Sequence, residues 1–103
     1  MIQNNEIITR LDKLIGQTET GKIKWTKQSA AQFSYVTNDA AIVIQKIPSP
    51  AQHYIFQVIQ GPPTLVIDTR MRAEMLPQLN KLFEIIESGF DKNALSALDK
   101  ILQ

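Results

Sequence analysis

The chain of 103 residues has no cysteine, which excludes disulfide bridges and thiolate chemistry and fits a reducing compartment such as the cytoplasm. It has a single histidine, His53, with no cysteine or second histidine to share a metal ion that normally takes three or four ligands, so neither metal nor cofactor is expected. The longest purely apolar run covers only residues 40–44, far short of the ~20 residues a membrane helix needs. Gln3, Asn4, Asn5 and Glu6 stand where an export signal would carry a basic start and an apolar stretch. Long linkers, internal repeats and low-complexity segments are also missing, so residues 1–103 read as a single cytoplasmic domain.

What is present is an ordinary globular composition: 44% hydrophobic and 20% charged residues are enough to build one core without metals or bridges. The net charge of +1 is unevenly spread. Residues 20–72 hold six cations against two acids, whereas both flanking segments are slightly acidic. That excess attracts anions weakly, but a dedicated nucleic-acid binder shows a denser basic cluster.

Ile7, Ile8, Leu11, Leu14 and Ile15 recur at helical spacing, with Asn4 or Asn5 available as a cap and Gly16, Gly21 and two threonines to end the helix. Alternating strands follow. Ile23 and Trp25 alternate with lysines in the first, and Phe33 and Tyr35 with polar residues in the second. Matched alternation calls for an odd loop, Gln28-Ser29-Ala30, that sets Trp25 opposite Phe33 and Ile23 opposite Tyr35. A two-residue turn at Asn38-Asp39, where both residues tolerate positive φ, pairs Tyr35 with Ile42 and Phe33 with Ile44. A three-residue loop at Pro48-Ser49-Pro50 pairs Ile44 with Tyr54 and Ile42 with Phe56. A four-residue loop at Gln60-Gly61-Pro62-Pro63 pairs Val58 with Leu65 and Phe56 with Ile67. From Ala73 the period becomes helical: Met75, Leu76, Leu79, Leu82, Phe83 and Ile86 form one stripe, with Pro77 tolerable only in the first turn. Gly89 reads as a stop and Asp91 as the cap of a last helix carrying Ala94, Leu95, Leu98, Ile101 and Leu102.

The expected fold is therefore α+β: an N-terminal helix, a five-stranded antiparallel meander and two C-terminal helices. Ile23, Trp25, Phe33, Tyr35, Ile42, Ile44, Tyr54, Phe56, Val58, Leu65 and Ile67 share the face that packs on the helices. The opposite face mixes Val36, Val43, Ile55, Ile59 and Val66 with Gln32, Gln45, His53 and Gln57. That mixture is too apolar for free water and too polar for a sealed core. An apolar patch edged by uncharged side chains has the composition of a contact surface rather than a catalytic cleft. Val43, Gln45, His53, Ile55, Gln57 and Val66 are accordingly its expected interface residues, with a second copy of the chain or another protein as the partner.

The chemical motifs dissolve on inspection. Residues 16–23 match seven of eight positions of a phosphate-binding loop, but Ile23 replaces the magnesium-binding hydroxyl, and the order is helix, loop, strand instead of strand, loop, helix. His53 has no serine, cysteine or carboxylate at a catalytic spacing and reads as a cross-strand partner of Gln45. Glu84 and Glu87 read as a solvated helix face, and Asp68, Arg70 and Arg72 as a strand-end charge cluster. Lys22, Lys24 and Lys27 around Trp25 offer the alternative of a weak nucleic-acid or anionic-ligand site, although alternation sends Trp25 to the face opposite Lys22 and Lys24. An enzyme with an unrecognised site is the third reading.

The string Gly21-Lys22-Ile23-Lys24-Trp25 directly after an amphipathic helix, with the closing Asp91, Ala94-Leu95, Leu98-Asp99 and Ile101-Leu102, resembles a loose group of short bacterial proteins of unknown function. The resemblance implies a helix, a small antiparallel sheet and C-terminal helices in an accessory or partner protein. It carries over no active-site residue.

Overall fold

In the computed structural model, which describes residues 3–61 and 63–103, five antiparallel strands form one sheet in the order β1-β2-β3-β4-β5, with two helices on one side of it. The elements are α1 (Asn4–Glu19), β1 (Thr26–Ser29), β2 (Gln32–Val36), β3 (Ala41–Ile47), β4 (His53–Ile59), β5 (Pro63–Asp68) and, after a 3-10 turn at Ala73–Met75, α2 (Leu76–Leu102). This is the α+β meander the alternation calls for.

α1 starts at Asn4 because Gln3 takes the N-cap position, its backbone N–H facing the Glu6 carboxylate at 3.5 Å. The expected cap residue Asn4 instead sends its amide to the Glu74 carboxylate, tying the start of α1 to the turn before α2. Gly16 does not stop the helix. Termination comes at Gly21, whose φ of 79° lets Lys22 N–H reach Gln17 O (2.9 Å) and Gly21 N–H reach Thr18 O (3.2 Å). Those two bonds satisfy carbonyls that a helix end leaves bare.

The sheet keeps its expected faces but not every expected pairing. Tyr35 lies opposite Ile42, Phe33 opposite Ile44, Val58 opposite Leu65 and Phe56 opposite Ile67, as the alternation requires. The Asn38-Asp39 turn closes between Thr37 and Ala40 through the Thr37 side chain and backbone, with neither turn residue at positive φ. The β3–β4 connection is five residues, 48–52, so Ile44 faces Phe56, Ile42 faces Val58 and Lys46 faces Tyr54. That is a shift of two residues from the expected pairing, which a period of two cannot detect because it leaves every side chain on its own face. At the β4–β5 turn Ile59 lies opposite Pro63 with an irregularity beside Val58, while Pro62 of the expected four-residue loop falls outside the described residues.

The first strand also differs. β1 begins only at Thr26, Lys27 lies opposite Phe33, and a register break between Lys27 and Ser29 replaces the odd loop. Trp25 precedes the strand, its ring 6.2 Å from that of Tyr35 and its indole N–H donating to Thr18 Oγ1 at 3.1 Å. The tryptophan is core, as expected, but it is held by the end of α1 instead of by strand pairing with Phe33.

The C-terminal helical region is in two pieces whose junction lies at Met75/Leu76, with Pro77 in the first turn where its missing N–H is harmless. No break occurs at Gly89: α2 runs straight through it for 27 residues, about 40 Å at 1.5 Å per residue. Leu79, Leu82, Phe83 and Ile86 are buried against the sheet and α1. Tyr54 is fully buried, and its hydroxyl donates to Asn80 Oδ1 at 2.6 Å, which ties the sheet to α2 through a polar contact. Burial, with Glu84 and Glu87 nearby, raises the pKa of that phenol.

Candidate interaction surfaces

Three surfaces remain open, and each arises from how the strands and helices divide the apolar residues. The first is the outer sheet face, which no described helix of the chain covers. The two-residue shift places Val43 opposite Gln57 and Ile55 opposite Gln45, so Val43 and Ile55 are not direct cross-strand partners. Apolar and amide side chains alternate on that face, with Ser34 opposite Val43 and Val66 opposite Gln57. Val36 and Val66 are exposed, while Val43, Gln45, Ile55 and Gln57 are half-buried. His53 departs furthest from expectation. It is buried, lies opposite Ile47 instead of Gln45, and its Nδ1 lies 2.8 Å from Ala51 O. It therefore braces its own loop and is removed from the surface.

The second is a groove of about 620 Å³ between α1 and the inner face of the sheet. α1 leans on α2 and on the turn before it, leaving the far part of the inner face only half covered. Ile23, Tyr35, Ile42, Val58 and Leu65, five of the eleven inner-face residues, are half-buried for this reason. Arg10 and Lys13 stand at the lip, and the Arg10 guanidinium donates to Glu6 O at 3.0 Å within its own helix.

The third is the end of α2. Beyond Phe90 every residue from 91 to 103 is exposed, so the helix projects from the body over its last three turns. Leu95 is 61% exposed, Leu98 49%, Ile101 77% and Leu102 73%. At 100° per residue, Asn93, Ala97, Lys100 and Ile101 continue the line of the core stripe, whereas Leu95, Leu98 and Leu102 lie about 100° or more around the helix. This apolar stripe therefore faces away from the protein's own core. In the sequence these leucines have the spacing of a separate helix, and the change of phase after Ile86 is the one sign of the exposed surface.

The charged groups among the described residues pair locally or face solvent. Asp68 accepts from the Arg70 guanidinium at 2.6 Å and from the Arg70 backbone N–H at 2.9 Å. Chiefly through those bonds its pKa is lowered to about 2. Such a pair is a local brace at the end of β5. Glu84 and Glu87 are exposed, Lys22, Lys24 and Lys27 are exposed, and no group of three His, Asp or Glu residues among the described residues is placed to hold a metal ion. No helix among the described residues is long and apolar enough to cross a membrane. No protein-family model, curated protein or solved structure matches the chain.

Proposed function

We propose that this protein is a non-enzymatic interaction module that self-associates, acting in the cytoplasm as an accessory or partner protein. The observation that carries the reading is the projecting end of α2, where three leucines on one stripe are between 49% and 73% exposed. Single exposed leucines are commonplace, but a contiguous stripe on a helix with no other neighbour is the form an interface takes before its partner arrives. The outer sheet face, with Val43, Gln45, Ile55, Gln57 and Val66, supplies a second and more polar surface for the same role. A resident cofactor has no part in this reading.

The competing reading, a weak nucleic-acid or anionic-ligand site at Lys22, Lys24 and Lys27, has the exposure of all three lysines in its favour. Salt separates the two. Phosphate contacts weaken steeply as ionic strength rises, whereas association through leucines does not. Sedimentation velocity at two protein concentrations, in low and in high salt, should show mass rising towards twice that of the chain with concentration and little affected by salt. A monomer at every concentration, together with salt-sensitive binding of a generic oligonucleotide, would replace this reading by the competing one.

A further inference from the structure

We infer that two copies of the chain pair antiparallel along the ends of α2, with Lys92 of each copy against Asp99 of the other. This rests on the self-association reading and adds to it a partner, an orientation and a register. The apolar stripe of Ala94, Leu95, Leu98, Ile101 and Leu102 lies within about 60° of Leu98 around the helix axis, with the exposed Asp91 in the same sector at its inner end. Lys92 and Asp99 are seven residues apart and so stand on one flank of that stripe, about 120° and 100° from Leu98 on the same side. Both are exposed, and neither has an ion-pair partner among the described residues.

Orientation follows from which flanks meet. When two helices pair antiparallel about a two-fold axis, like flanks face each other; when they pair parallel, opposite flanks do. A two-fold centred between Leu95 and Ser96 brings Lys92 level with Asp99 of the second copy and Asp99 level with its Lys92, giving two reciprocal pairs at the edge of the apolar seam. A parallel pair would set both charges beside the other flank, which carries Phe90 and Ala97. Antiparallel packing also opposes the two helix dipoles favourably.

Register follows from the same charges. Sliding the helices inwards by half a heptad sets Lys92 against Lys92 and adds Glu84 and Glu87 to Asp91 over the other copy's apolar stripe. Sliding them outwards by the same amount sets Asp99 against Asp99 and halves the overlap. Of these three registers, only the one centred between Leu95 and Ser96 pairs opposite charges. It overlaps residues 89–102, about 21 Å of helix. It also places Ile101 level with Phe90 of the second copy, continuing that copy's aromatic core outwards. A contact of this length is smaller than the ~800 Å² per partner of a standard interface, so the dimer is concentration-dependent.

The test is a charge reversal in three variants, Lys92→Glu, Asp99→Lys and the two together, with Leu98→Asp as a control for the stripe. Each changes an exposed side chain, so thermal melts of the four should stay close to the parent. Sedimentation equilibrium should show each single reversal weakening dimerisation at least tenfold, because it places like charges together twice, and the double reversal returning it to within a few-fold of the parent. Because the chain has no cysteine, a spin label on Gln103→Cys adds a distance: antiparallel pairing keeps the two labels more than about 20 Å apart, parallel pairing brings them to about 10 Å. A dimer abolished by Leu98→Asp but indifferent to both charge reversals, or one with labels at the shorter distance, overturns this inference while leaving self-association intact. A parent that stays monomeric at millimolar concentration overturns both.

Discussion

Phe33 on β2 and Phe90 on α2 stack face to face, their ring centroids 5.4 Å apart and their planes 8° from parallel. Phe83 closes on the same Phe33 ring at 5.0 Å and on Tyr54 at 5.6 Å, and the Lys46 ammonium sits 5.5 Å from the Phe83 centroid. This cluster explains why α2 does not end at Gly89: the next residue is the last anchor of the helix on the sheet, and helical backbone carries it to Phe33. Phe33 is 1% exposed, so Phe33→Ala should cost about 3 to 5 kcal/mol in urea unfolding. Phe90 is half-buried, and Phe90→Ala should cost less, about 1 to 3 kcal/mol. Equal stability of parent and Phe90→Ala would show that the stack does not hold α2 to the sheet.

The glycines separate helix interior from helix end. A Cβ at Gly89 meets nothing within 4 Å and the backbone there is helical, so Gly89→Ala should stabilise the protein by about 0.5 to 1 kcal/mol and raise its melting temperature by a few degrees. Gly21 has equal space but a φ of 79°, so Gly21→Ala should lower the melting temperature. Opposite signs for the two are expected. Destabilisation by Gly89→Ala would mean that the helix breaks there.

The pH dependence should carry a signature of Asp68. Its carboxyl has an unfolded value near 3.8 and is held down to about 2 in the folded protein by hydrogen bonds from Arg70. The depressed group favours folding above the unfolded value, and that contribution is lost as pH falls from about 4 towards 2. Arg70 is 59% exposed, so salt should reduce the effect. Asp68→Asn should flatten this part of the stability profile, and an unchanged profile in that variant would remove Asp68 from the account.

The polar contact between sheet and α2 gives a further expectation. Tyr54→Phe removes the hydrogen bond to Asn80 while keeping the ring, and should cost about 0.5 to 1.5 kcal/mol by thermal or chemical unfolding. A neutral substitution would show that water serves Asn80 equally well.

Strand number, element order and the inner face were legible because alternation has a period of two and turn residues punctuate it. The β3–β4 register was not, since a loop of three and a loop of five at Pro48 both keep Ile44, Tyr54 and Phe56 inside; only the folded sheet reveals Lys46 beside Tyr54. Trp25 was legible as core but not as the hydrogen-bond partner of Thr18, a contact between a helix end and an irregular segment that no periodicity encodes. Gly89 misled because a glycine between two apolar stripes of different phase looks like a hinge. The cost of keeping it helical is only about 1 kcal/mol, and Phe90 on Phe33 offsets that. The candidate surface was therefore half legible: its leucines were named, but their exposure depended on a helix that does not turn back.

The central claim, that the end of α2 joins copies of this chain, is met most directly by sedimentation equilibrium of the parent and of Leu98→Asp across a hundredfold range of concentration. The account predicts a parent whose mass climbs towards two chains and a folded variant that stays at one. A parent at one chain throughout, or a variant that dimerises as well as the parent, would contradict it.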